Sequence, residues 1–383
     1  MASKGFPIFI VTMLKSIIVL GGRHWWLSFL LWIVLIAPVQ AAIELRIAVE
    51  QGVKQVTLGS STTAIVRDGT GQAVGNLNAM AGMTAETNGS GIKLGQWQGK
   101  SLWIEPKDNG YVWIGDRWYR GRTRLVSSEN KLTAVNHVDL EHYLYSVIGA
   151  EMSPSWPIEA LKAQAVAARS YVLHQRSKSK SDIYDIGDTQ RWQVYKGLNS
   201  ETASTHQAVN ATAGQIMTYG NKVILAVFHA ASGGHTENVE DIWWSEPIPY
   251  LQGVPDYDQG TPVYQWTKSF SAGQLSQKIS GVGNIIAMTP VERTPRGRVI
   301  TLKVEGSRNT KTIKGKELRK ILGLKSRLFT VSKTENGFQF NGRGYGHGLG
   351  LSQWGAYNLS RRGLNYLQIL SHYYSSAQLS QMD

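Results

Sequence analysis

The chain has 383 residues, 42% of them apolar and 17% charged, which provides for a sizeable core and excludes wholesale disorder. No cysteine is present, so disulfides, a thiol nucleophile and a cysteine-based zinc site are excluded. The formal charge is +13, from 40 basic and 27 acidic residues scattered without a five-residue basic block, and such a surplus suits a polyanionic partner.

The chain opens with a run, Trp25 to Ile36 (WWLSFLLWIVLI), of the length of a signal-peptide apolar region and short for a bilayer span of ~20 residues. Lys15 and Arg23 precede it, and Val39-Gln40-Ala41 supplies small residues for cleavage after Ala41. Residues 1–41 are therefore expected to be a signal peptide or, alternatively, an uncleaved membrane anchor, with the body of the protein exported to the periplasm or cell wall. The membrane would be met only through this segment.

Residues 42–126 read as a β-rich subdomain. Ile43-Glu44-Leu45-Arg46-Ile47 alternates with the period of a half-buried strand, and similar runs recur at 63–67, 91–94, 101–105 and 111–114. Near Asn136 the pattern changes. Leu140, Tyr143, Leu144, Val147 and Ile148 mark one face of a helix, with Asp139 placed to cap it and Gly149 to end it. A second helix comes next, with Pro157 at its first position and Leu161, Ala165, Ala168 and Val172 as its buried stripe. Strands are expected at 222–230, 297–305 and 338–340, and a closing helix at 352–374. The fold class is α+β, with mixed helices and short strands forming a substrate cleft over residues 127–383.

Three segments carry candidate chemistry. Glu151 falls in the predicted inter-helix loop beside Met152, Pro154 and Trp156, surroundings that would raise a carboxyl pKa as a general acid requires. Residue chemistry alone leaves it open as an ordinary loop acid. His229 and His235 flank Ser232-Gly233-Gly234, where glycines allow close backbone approach, but a six-residue spacing is no recognised zinc signature. Gly344-Tyr345-Gly346-His347-Gly348 does not complete a nucleotide-binding GxGxxG, since Leu349, Leu351 and Gln353 occupy the positions where the last glycine would fall. Trp156, Trp192, Trp243, Trp244 and Trp354 lie near these segments, as packing residues or as platforms for sugar rings. No RNA- or DNA-binding motif is present, which together with the leader sets nucleic acid aside as a partner.

Taken together, the runs from Val138 to Met152 and Trp156 to Tyr171, Ser232 to Glu237 with Pro249-Tyr250-Leu251, and Gly344 to Gly348 with Ser352 to Ala356, closely resemble the SpoIID/LytB family over roughly residues 130–375. The resemblance implies a peptidoglycan lytic transglycosylase whose catalytic acid/base is Glu151, cutting between N-acetylmuramic acid and N-acetylglucosamine with formation of a 1,6-anhydro end. It implies substrate contacts from Ser153, Trp156, Arg169, Ser232, Gly233, Gly234, His235, Tyr345, His347, Ser352 and Gln353. Glu141 and Glu159, in the flanking helices, are assigned structural roles. Some relatives carry zinc on His and Cys; with every Cys absent here, no metal or other cofactor is carried over. The alternative that the family implies is a non-catalytic peptidoglycan-binding enhancer of a cell-wall amidase.

Overall fold

A computed structural model describes residues 43–382, Ser90 and Trp244 excepted, so the candidate leader lies outside the described residues. Alternation of apolar and polar residues produces two β-layers, antiparallel except where the short strand Ile186–Gly187 pairs in parallel with the first strand. Strand Glu44–Val53 pairs along its length with Lys131–Asp139, and the sheet continues through Arg122–Ser128, Ser101–Pro106, Ala64–Asp68 and Ala73–Leu77. A six-stranded sheet built around Gln55–Ser60 and Met83–Asn88 completes the β-rich part. Leu45, Ile47, Val66, Leu102 and Ile104 of the first sheet and Leu58, Ala85 and Leu94 of the second belong to one buried cluster. That cluster runs on through the helices to Tyr374, and position 126 falls inside a strand, so the β-rich segment and the helices after it share a core.

Helix α1, Leu140–Glu151, begins where expected: the Asp139 carboxylate accepts from the N–H groups of Glu141 and His142 at 2.9 and 3.1 Å. It does not end at Gly149. The helix runs on to Glu151, and Gly149 serves close packing instead, because a Cβ there would lie 1.9 Å from the Ser200 carbonyl oxygen. Helix α2, Ile158–Lys178, starts after Pro157, which caps it from just outside. The expected stripe is buried, but so is nearly every residue from Ala160 to Val172. Small side chains let this helix pass through the core itself. Helices α3, Ala203–Asn210, and α4, Val239–Trp243, come after it.

The single strand expected at 222–230 is two short pieces, Lys222–Val223 and Phe228–His229. The second pairs in parallel with Leu351–Ser352, which sets His229 beside the glycine-rich loop. Between these partners the chain builds a lobe that its periodicity had shown only in fragments. Two three-stranded sheets, centred on Gly337–Arg343 and Val299–Gly306, carry α5, Ala272–Lys278, and α6, Gly315–Leu322, around a separate core that includes Trp266, Phe270, Leu302, Leu318 and Phe340. The expected closing helix is two, α7, Gln353–Arg361, and α8, Tyr366–Tyr373. Gly363, at φ +91°, turns the chain between them, and Asn365 caps the second.

Candidate functional site

Glu151 is the last residue of α1 rather than a loop residue. Its Oε1 accepts from the Val194 N–H at 2.8 Å. The segment bearing Val194 is fixed on α1 by the Lys196 N–H on Ser146 Oγ at 3.2 Å and by the Tyr143 hydroxyl on Gln193 at 3.0 Å. The carboxyl opens into a cavity of about 740 Å³, lined also by Tyr171, Trp192, His229, Trp243, Arg319, Tyr345, His347 and Gln353. Burial pushes the Glu151 pKa above the ordinary value of 4.5, while the Val194 N–H and the neighbouring Gln353 amide act in the opposite sense with less effect. Gln353 is the first residue of α7 and almost wholly buried, and among the described residues its Nε2 has no hydrogen bond of regular geometry.

The two histidines of the cavity have fixed tautomers. Leu349 N–H donates to His347 Nδ1 at 3.0 Å, so the ring proton sits on Nε2 and is donated to the Phe228 carbonyl at 3.0 Å. His229 points Nδ1 at the Leu349 carbonyl at 3.0 Å, leaving Nε2 without a hydrogen-bond partner among the described residues. Burial, reinforced by Arg298, depresses His229 to about 3. Burial and the neighbouring His229 hold His347 well below the usual imidazole range. Both rings are therefore neutral at physiological pH. Their centroids are 5.2 Å apart, but His347 has committed both nitrogens to backbone, so the pair does not offer a metal site. Among the described residues no group of three or more His, Asp or Glu side chains is placed to share a metal ion.

Of the other residues singled out in the sequence, Trp192, His229, Trp243, Tyr345, Gly346, His347 and Gln353 line the Glu151 cavity, whereas Ser153, Trp156, Arg169, Ser232, Gly233, Gly234, His235 and Ser352 do not. Arg169 is fully buried; it pairs with Glu141 through Nε at 2.8 Å and bonds the Gln215 carbonyl at 3.0 Å, which makes it a strut between α1 and α2 with no reach to a ligand. Glu141 and Glu159 are tied within the fold, the latter to Lys162 and the Tyr366 N–H. Ser352 is the buried cap of α7. Trp156 packs on Trp354 and Tyr357, with ring centroids 4.4 and 5.1 Å away, and Ser153 is exposed with its hydroxyl on Ser155. Gly233, Gly234 and His235 line a second cavity of about 300 Å³. There Asp258 accepts from the N–H groups of Gly233 and Gly234 at 2.6 and 2.9 Å. The positive φ of both glycines, +85° and +105°, is what turns their amides toward that one carboxylate. Ser232 is buried with its hydroxyl on Asp256, and His235 Nδ1 accepts from Arg296 Nε at 2.6 Å.

Arg191, Arg319 and Gln175 also line the cavity, and none of them was singled out in the sequence. Gln175 lies one turn beyond Tyr171 on α2 and was findable by helical spacing. Arg319 comes from the second lobe, and no local signal announces it.

A helix-ending acid over a mixed α+β core and a glycine-rich loop with a backbone-pinned histidine define a recognisable class. The family model described as "Stage II sporulation protein" matches residues 128–219, and a "Domain of unknown function" matches 256–350. The chain belongs to the SpoIID/LytB family. It is 34% identical to the stage II sporulation protein D of Bacillus subtilis over 65% of this chain and 77% of that protein. An uncharacterized protein of Brachyspira hyodysenteriae is 32% identical over 71% of this chain and 74% of its own. The amidase enhancer of Bacillus subtilis is 30% identical over 62% of this chain and 40% of its own.

Proposed function

We propose that the chain is an exported cell-wall enzyme that cleaves peptidoglycan glycan strands between N-acetylmuramic acid and N-acetylglucosamine, with Glu151 as acid and then base. The observation that carries this reading is a half-dry carboxyl alone in a large cavity: among the described lining residues Glu151 is the only acid. Ordinary glycosidases need a second carboxylate to activate water or form a covalent intermediate. A single carboxyl suffices if the nucleophile belongs to the substrate. Protonated Glu151 donates to the glycosidic oxygen; the carboxylate so formed takes the proton of the muramic C6 hydroxyl, which attacks C1 and closes a 1,6-anhydro ring. Holding both reacting groups in one sugar replaces an external water by an intramolecular partner. The exposed edges of Trp243 and Tyr345, each 41% accessible, offer faces for sugar rings.

The name of the amidase-enhancer relative supports a second reading, a non-catalytic glycan binder that assists a cell-wall amidase. One comparison separates them. Sacculi incubated with the purified protein release anhydro-ended fragments and Glu151→Gln releases none; a pure binder releases none with either residue.

A further inference from the structure

The surplus charge of this chain has an address. Residues 256–350 hold 16 Lys and Arg against 6 Asp and Glu, a net +10, residues 1–41 hold three basic residues and no acid, and the remainder is balanced at 21 of each sign. What reads along the sequence as scattered cations is, by region, one basic lobe on an otherwise neutral body. The lobe's Arg298 is consumed in a buried pair with Glu237 at 3.2 Å. The cations of α6 are not. Lys316, Arg319 and Lys320 have the i, i+3, i+4 spacing that places side chains on one helix face, opposite the buried Leu318 and Leu322. Lys316 and Lys320 are exposed, and among the described residues neither is in an ion pair. Arg319 of the same stripe lines the Glu151 cavity, and beyond the helix Lys325 lies 5.3 Å over the ring of Tyr345, another lining residue. The basic surface therefore starts inside the cavity and runs outward along α6.

We infer that the lobe of residues 256–350 is a polyanion-binding element that extends the Glu151 cavity, and that the groups it reads are carboxylates borne along the bound glycan strand. A polymer leaving the cavity past Arg319 meets Lys316 and Lys320 next, and a muramic acid residue with a free lactyl group presents one carboxylate per disaccharide. Continuity with the cavity favours the strand over an anionic lipid surface, which would have no reason to track from Arg319. The inference rests on the reading that the cavity takes a glycan strand.

The test measures binding in the full chain carrying Glu151→Gln, so that cleavage does not intervene. The probes are glycan strands freed of stem peptides, with lactyl carboxylates either free or converted to methylamides. The free-acid strands should bind about tenfold more tightly at low salt, with the preference fading in ~0.5 M salt. Adding Lys316→Glu and Lys320→Glu, both exposed and outside the core, should abolish the preference and leave binding of the amidated strands unchanged. Equal affinity for the two probes overturns the inference, as does a preference that survives both charge reversals. Tighter binding to anionic phospholipid vesicles than to free-acid strands also overturns it. Cleavage by the Glu151 protein is scored separately. Carboxylate-dependent binding without anhydro ends sinks the cleavage reading alone, whereas anhydro ends without that dependence sink this inference alone.

Discussion

Glu151 and Asp258 are both carboxyls lifted by burial, and both lie in family motifs or touch them. Asp258 is raised to about 6, first by burial and then by the nearby Asp256. Yet each of its oxygens is already taken by a glycine N–H, and Asp256 is similarly engaged by Ser232 and by the Tyr373 hydroxyl at 2.6 Å. Glu151 keeps one backbone hydrogen bond, at Oε1, and faces about 740 Å³ of open space. Burial supplies the proton affinity in both places. That affinity is usable only beside room for a substrate, which is why Glu151 is proposed as the acid, while Asp258 pins its own loop.

The contrast between the two carboxyls is most open to test at Glu151 itself. Glu151→Gln should lower strand cleavage by about 10²–10⁴-fold, measured as release of anhydro ends, because proton transfer is lost while shape is kept. Its stability should move the other way. A carboxyl whose folded pKa lies above 4.5 stabilises the fold below that pH and loses the contribution as pH rises through the folded value. The Gln variant should therefore melt higher than the parent at pH 7, with the gap closing near pH 4, read by calorimetry. Arg169→Ala should cost about 3 kcal/mol in denaturant unfolding by stranding Glu141 without its partner, a stability loss that a substrate-contact residue would not show. Gly149→Ala should cost about 1–3 kcal/mol and also reduce activity, since relief of the clash with Ser200 must shift the end of α1. The smallest effect is expected at His347→Asn: a loss of roughly 1 kcal/mol from its two backbone hydrogen bonds, and no change in the pH–rate profile, because the ring does not titrate near neutrality.

Much of the scaffold was legible because local rules and tertiary structure agree there. The strands from Ile43 to Ile114 keep to their alternation, and the Asp139 cap and apolar face of α1 are where the spacing puts them. Gly149 was misread because a glycine that ends a helix and one that admits a neighbouring carbonyl look alike in sequence; the deciding atom, Ser200 O, is 51 residues away. The same holds for Arg169. Its motif marks it as important, but only the fold reveals that Glu141 and the Gln215 carbonyl absorb its donors. The double glycine after Ser232 announced a close backbone approach correctly and hid its object, the Asp258 carboxylate rather than a ligand. The second lobe was missed as a unit because its strands are short and its core closes over contacts such as Trp266 with Gly342, far apart in the chain. Glu151, His229 and His347 converge from three distant segments, a meeting that periodicity cannot forecast.

The proposed chemistry depends on the Glu151 carboxyl holding its proton to higher pH than a free glutamate does. Titration of the side-chain carboxyl carbon by NMR in the intact protein, with Glu151→Gln to assign the resonance, measures this directly. A midpoint above 4.5 is the expected result; a midpoint at or below 4.5 would contradict it and remove Glu151 as the acid.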